Sequence, residues 1–300
     1  MRSRSEWESI FGNWSRGPQK TETDRIENTK RAIQDAIRND DKLKSRNISV
    51  FVQGSYKNTV NVKKDSDIDI GVLCMDTFYY DFQDENLREY QQSRITPATY
   101  DYSTFKNEVE TALVNKFGRS AVTRGNKAFD IKATSARVEA DVVAFFEHRR
   151  YYARDQYYSG VQMYTDNGNK VINWPEQHYN NGVDKNSKTY RRYKRSVRIL
   201  KKLKNAMEND NYIDQDRISG FFIECLVWNV PNNYFNYDSH YDRIKAIITY
   251  LYNETKKEEI INDWGEVSDL KYVFRGKNRG IADANYFVLK AWRYVGYTND

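Results

Sequence analysis

The sequence predicts an α+β fold in two lobes, a mixed sheet with helices in residues 1–175 followed by a helical lobe in residues 176–300. Three observations predict it. Short β-prone runs recur at 49–53, 67–73, 121–123, 128–133 and 137–146, separated by turn residues. Beyond residue 175 apolar side chains recur at helical spacing, as in Tyr190, Tyr193, Val197, Leu200 and Met207. The 300 residues, 39 % hydrophobic and 30 % charged, have room for one large domain or two ordinary ones, either with a real core, and show no repeat of fixed period.

In order along the chain, Trp7, Phe11 and Trp14 share a helical face before Gly17-Pro18 breaks the pattern, which predicts a short docking helix. Residues 21–39 form an amphipathic helix with Ile26, Ile33 and Ile37 on its stripe, opened by a capping-box-like Thr21-x-x-Asp24. The strand 49–53 ends in Gly54-Ser55, a polar loop follows, and Asp67 and Asp69 open a second strand among Ile68, Ile70, Val72 and Leu73. Residues 75–99 lack a period and read as a surface excursion. A helix over 102–117 is predicted by Phe105, Val109, Ala112, Leu113 and Phe117 on one face, with Gly118 to end it. An antiparallel meander then presents Asp141 from a strand beside Val138, Ala140 and Val142. Residues 151–185 read as loop-rich. Helices are expected at 188–208, 219–230, 237–254 and 283–297.

A net charge of +6 and a pI near 9.0 predict an anionic partner, and nucleotides and nucleic acids both fit. No apolar run approaches the ~20 residues of a membrane span and no signal-like apolar block follows the first residues, so no membrane partner and a cytoplasmic location are expected. Cys74 and Cys225 lie far apart in apolar segments, and His148, His178 and His240 show no ligand spacing. A zinc site or disulfide framework is not expected, and both thiols should be buried.

Residues at i and i+2 of a strand face the same way, so Asp67 and Asp69 project together. Such carboxylates repel unless a cation lies between them, and oxygen-only ligands suit magnesium, with manganese as a substitute. Asp65 extends the alternation and leaves either adjacent pair open, but the apolar residues begin at Ile68, which favours Asp67 and Asp69. Gly54 lets the backbone approach a ligand closely, and Ser55 with its amide can hold a phosphate. The apolar surroundings of Asp141 make an unpaired charge there costly, which marks it as a third metal-holding acid. Glu139 shares its face as runner-up. The structural alternative pairs Asp141 with Arg137.

Gly54-Ser55 followed by Asp67-x-Asp69 resembles the signature of the polymerase β-like nucleotidyltransferase superfamily. The tracts Gln53-Gly54-Ser55-Tyr56 and Asp65-Ser66-Asp67-Ile68-Asp69-Ile70 resemble, more narrowly, the bacterial cGAS/DncV-like nucleotidyltransferases. The tracts beginning at Arg137, Asn173 and Glu224 extend the resemblance over most of the chain. It implies a polymerase β-like catalytic lobe with N-terminal helices, and a helical lobe completing the nucleotide-binding cleft. It also implies two magnesium ions held by Asp67, Asp69 and Asp141, and nucleotide contacts from Gln53, Gly54, Ser55, Lys201 and Ser219. Lys202 and Lys204 compete with Lys201 for the phosphate role, and Phe221 is a candidate base contact.

The implied activity joins ribonucleoside triphosphates, ATP and UTP foremost, into a cyclic di- or trinucleotide for anti-phage defence. That product would act on a downstream effector, made by a monomer needing no nucleic acid. The alternatives are nucleotide addition to an RNA end or small molecule, and an inactive nucleotide- or RNA-binding module.

Overall fold

The computed structural model describes residues 2–17, 20–62, 67–257, 263–275 and 280–297. Asp65 and the side chain of Thr21 lie outside these described residues. The elements run α1 (Arg4–Trp14), α2 (Lys20–Arg38), β1 (Ile48–Gln53), α3 (Gly54–Lys57), β2 (Ile68–Phe82), α4 (Arg88–Gln92), α5 (Tyr102–Phe117), β3 (Val122–Arg124), β4 (Phe129–Ile131), β5 (Ala140–Ala153), β6 (Gln156–Tyr164) and β7 (Lys170–Asn173). Helices α6 (Pro175–Lys188), α7 (Arg192–Asn209), α8 (Gly220–Trp228), α9 (His240–Glu254) and α10 (Ile281–Val295) follow. They group into a sheet unit of residues 19–57 and 63–175, and a helical unit of residues 1–18, 58–62 and 176–300.

In the sheet unit the strand order is β1-β2-β5-β4-β3, and β6 and β7 continue from the far half of β5. β2 and β5 are parallel and the other pairs antiparallel, which makes the sheet mixed. A parallel pair needs a long crossover, and α5 lies within it. Its boundaries follow from its ends. The Asp101 carboxylate accepts from the Thr104 amide at 2.9 Å, and Gly118 takes φ +84° just past the last turn. Phe105, Val109 and Leu113 of α5 are fully buried, and Ile33 and Ile37 of α2 enter the same core.

Two tracts differ from the sequence expectation. Residues 75–99 do not leave the sheet at once, because β2 crosses an irregularity at Cys74/Phe78 and pairs Phe78–Phe82 with Glu147–Tyr151. The alternating aromatics of that tract suit a half-buried pleated surface, which outweighs its polar composition. Residues 151–185 hold the β6–β7 hairpin and α6. Val161 and Met163 are buried, and a Cβ at Gly160 would stand 2.7 Å from the Trp174 ring, so this glycine admits the indole. Pro175 at the first position of α6 preorganises an otherwise Asn-rich helix.

The helical unit has its own core, built from Val197, Leu200 and Leu203 of α7, Ile244, Ile247 and Ile248 of α9, and Phe287 and Ala291 of α10. Grouping α1 with the catalytic lobe needs correction on this point. Trp7 and Phe11, 2 % and 0 % exposed, enter the helical core, and Arg4 pairs with Asp242 at 2.6 Å. Glu8 caps α9, accepting from the His240 and Tyr241 amides at 2.9 and 2.7 Å. Burial alone would raise its pKa, but those amides bring it down to about 2. Cys74 and Cys225 are both buried. No helix among the described residues is long and apolar enough to cross a membrane.

Candidate active site

Strand register assembles a polar row in the sheet unit. Gln53 of β1 pairs with Asp69 of β2, Asp69 with Asp141 of β5, Asp141 with Asp130 of β4, and Asp130 with Thr123 of β3. Residues paired across neighbouring strands face the same side. The flanking rows show why the register holds. Ile68, Ala140 and Ile131 on one side, and Ile70, Val142 and Phe129 on the other, are all at most 1 % exposed and face the core. Asp67 lies exposed just before β2.

Gly54 follows the last residue of β1 with φ +66°, and a Cβ there would fall 2.0 Å from Asp69 Oδ2. Only glycine allows both this conformation and the approach of the carboxylate. Ser55 is half-buried in the single turn α3.

The carboxylates disturb one another. Burial and the nearby Asp130, Asp69 and Asp67 push the Asp141 carboxyl up to about 6, and burial and Asp67 raise that of Asp69. Arg137 lies over the Phe117 ring at 4.6 Å, and no ion pair joins it to Asp141. Glu139 is exposed one residue before β5, and its carbonyl accepts from the Ile68 amide at 3.0 Å. Among the described residues no group of three or more His, Cys, Asp and Glu side chains stands placed to hold a metal ion. Asp69 and Asp141, set abreast and both raised in pKa, are nevertheless a pair that a hard cation would relieve. Asp67, Asp69 and Asp141 are the residues that would hold it.

In the helical unit Lys201 is 5 % exposed, and its Nζ donates to Glu224 Oε2 at 3.0 Å. The other Glu224 oxygen lies 2.8 Å from His178 Nε2. Burial opposes ionisation of Glu224, but Lys201 and His178 bring its pKa down to about 2. Of the competing lysines, Lys204 pairs with Glu208 at 2.8 Å, and burial and Arg198 lower the pKa of Lys202. Ser219 caps α8, its hydroxyl oxygen accepting from the Phe222 amide at 3.1 Å. Phe221 is 47 % exposed and near the His178 ring, 6.0 Å between centroids. Ser219 and Phe221 both line a cavity of about 500 Å³ with Cys225, Glu266 and Asp283.

Comparison with known proteins decides the family. Residues 180–296 match the cGAS/DncV-like nucleotidyltransferase C-terminal helical domain. Over 292 residues the chain is 42 % identical to the cyclic dipyrimidine nucleotide synthase CdnE of Cecembia lonarensis, covering 97 % of this chain and 98 % of that one. The chain is a cGAS/DncV-like nucleotidyltransferase. Among solved structures, this nucleotidyltransferase resembles the Elizabethkingia meningoseptica CdnE cyclic dinucleotide synthase with GTP and Apcpp. The TM-score is 0.80 at 34 % identity, covering 97 % of this chain and 99 % of that one. It also resembles the Rhodothermus marinus CdnE c-UMP-AMP synthase with Apcpp and Upnpp, with TM-score 0.83, 27 % identity and 98 % of each chain covered.

Sequence reasoning passed over three side chains of this nucleotidyltransferase that stand with the candidate residues. Asp130 is exposed between the buried Phe129 and Ile131, an alternation that marks it as facing the same side as Asp141. Glu224 and His178 come from different helices, and no local pattern announces their meeting on Lys201.

Proposed function

We propose that this nucleotidyltransferase joins ribonucleoside triphosphates, UTP among them with ATP as a second, into a cyclic di- or trinucleotide and releases pyrophosphate. The observation that carries the reading is the Gln53–Asp69–Asp141–Asp130 row with Gly54 pressed against the Asp69 carboxylate. It presents acids on a rigid sheet, as nucleotidyl transfer from a triphosphate requires. Two magnesium ions on Asp67, Asp69 and Asp141 would neutralise the triphosphate and lower the pKa of the attacking hydroxyl. The hydroxyl oxygen forms a bond to the α-phosphorus, the bond to pyrophosphate breaks, and an Asp141 carboxylate oxygen takes the proton. Gly54 and Ser55 hold phosphate oxygens against the row, with Gln53 alongside. On the helical unit Lys201 and Ser219 bind the phosphates, the first by charge and the second from the exposed end of α8.

The choice of UTP is supported by the dipyrimidine synthase at 42 % identity and by the solved relative with Upnpp. The same reading has the enzyme act as a monomer without nucleic acid, its product a second messenger for an effector in anti-phage defence. Incubating the protein with all four triphosphates and magnesium, then analysing the product by mass spectrometry after phosphatase treatment, tests the chemistry. A phosphatase-resistant cyclic product containing uridine is expected. Full turnover in a protein carrying both Asp67→Asn and Asp69→Asn, or linear products only, would refute the reading. In phage-challenged cells the same double variant should protect no better than an empty control.

A further inference from the structure

Three cations lie on one face of α7, at i, i+4 and i+7: Lys194, Arg198 and Lys201, which are 6 %, 8 % and 5 % exposed. Two of them have partners. Arg198 donates twice to the Ser15 carbonyl, at 2.8 and 2.6 Å, and once to the Thr59 carbonyl. Lys201 is paired with Glu224. The third is not. The Lys194 stem passes 3.8 Å from where a Cβ on Gly182 would stand, and its Nζ lies 5.4 Å from the centre of the Tyr179 ring. Its ammonium has no hydrogen bond or ion pair among the described residues. Burial lowers its pKa, the Glu224 carboxylate acts on it through space in the opposite sense, and Arg198 repels it.

The buried stripe thus carries three positive side chains, and among the described residues Glu224 is the one carboxylate bonded to any of them. The Lys194 stem is buried, and its ammonium, bonded to no protein group among the described residues, has the Tyr179 ring as its close contact. An anion arriving at Lys201 would find Lys194 on the same helix face, without a competing bond to break. Glu224 holds Lys201 in place, and Lys194 keeps the local charge positive despite that carboxylate.

We infer that Lys194 is a second phosphate-binding residue of this nucleotidyltransferase, sharing the polyphosphate of the nucleotide substrate with Lys201. The inference rests on the reading of Lys201 as a phosphate ligand and adds to it a second cation of the same helix. Two ammonium groups on one side of a polyphosphate discriminate triphosphates from monophosphates by charge, whatever the base. Lys194 therefore contributes to affinity rather than to base choice.

The test uses the full chain in metal-free buffer, so that no cation held at the carboxylate row contributes to binding. Inorganic tripolyphosphate is titrated by calorimetry into the wild type, K194M, K194Q and K201M, and each is melted without ligand. K194M is expected to weaken binding about tenfold, the effect of losing one charge-assisted contact. Its ligand-free melting temperature should stay unchanged, since no protein bond to the ammonium is removed and the stem is replaced by one of similar length. K194Q should match it.

If K201M weakens binding while both Lys194 variants bind within twofold of wild type, the inference falls and the Lys201 reading stands. If no variant weakens binding, both fall. Should K194M melt several degrees lower, K194Q decides by its affinity; lowered melting in both overturns the inference in favour of a packing role.

Discussion

Replacing Asp141 by Asn should stabilise the metal-free protein while removing its activity. In the folded state the carboxyl is raised from 3.8 to about 6 by burial and by Asp130, Asp69 and Asp67. At about 1.4 kcal/mol per unit this is roughly 3 kcal/mol, and screening of a half-buried group reduces it to about 1–2 kcal/mol. The sign follows from proton binding. Between 3.8 and about 6 the native carboxyl holds a proton that the unfolded chain has released, so stability falls as pH rises through that window. Above the window the penalty is complete, and below it the penalty is absent. In EDTA at pH 7.5 the variant should therefore melt about 2–4 °C above wild type, and at pH below 4 the two should coincide. Added magnesium should raise the wild-type melting temperature more than the variant's, and turnover should fall about 10²–10⁴-fold. Scanning calorimetry across pH, with and without magnesium, reads all of this. A variant that melts below wild type in EDTA at pH 7.5 would show that Asp141 is held by a favourable partner, and the argument from repulsion would be refuted.

Other perturbations separate the roles of neighbouring groups. Gly54→Ala places a Cβ 2.0 Å from Asp69 Oδ2 at φ +66°, so turnover should be lost with about 1–2 kcal/mol of stability, and retained turnover would show that the approach is not needed. Glu224→Gln leaves Lys201 and His178 facing an amide and should cost on the order of 3 kcal/mol in denaturant unfolding. Glu224, at about 2 against an ordinary 4.5, supplies stability that is complete above 4.5 and lost as pH falls toward 2, so the Gln variant should lack that acid-dependent loss. Asp130→Asn should raise the metal-free melting temperature in the same direction as Asp141→Asn but by less, and combining the two should give less than the sum because each relieves the same repulsion. Additive shifts would mean that the two carboxyls do not interact.

The parts legible in the sequence are those whose cause is local. Helix α5 is readable because its stripe and both of its ends lie within a few residues of one another. Asp67 and Asp69 are readable because strand alternation and a preceding glycine turn bring the chemistry together inside one segment. What escaped depends on partners distant in sequence. The outer half of β2 becomes a strand only because β5 extends to meet it, and α1 joins the helical unit because Trp7 and Phe11 find their core near Tyr294 rather than near α2. Asp130 sits on a three-residue strand, too short for periodicity to assert itself, and its significance arises from pairing with Asp141. The Glu224 bond to Lys201 joins α8 to α7, and neither helix alone distinguishes it from an ordinary surface charge.

The sheet explains why the acids need no dedicated scaffold. Asp69 and Asp141 are each the second residue of a strand, and the strands are parallel, so the same offset from two strand starts brings them abreast. Their apolar neighbours, one position to either side, are buried on the opposite face. A slip of one residue between β2 and β5 would send carboxylates into the core and isoleucines into water, a change far larger than any gain at the site. The alignment of the candidate acids is therefore enforced by hydrophobic burial, which persists whether or not a cation is present. That is how a row of mutually repelling charges survives in the resting protein: the repulsion amounts to a few kcal/mol, and the register that imposes it is held by two full rows of core side chains.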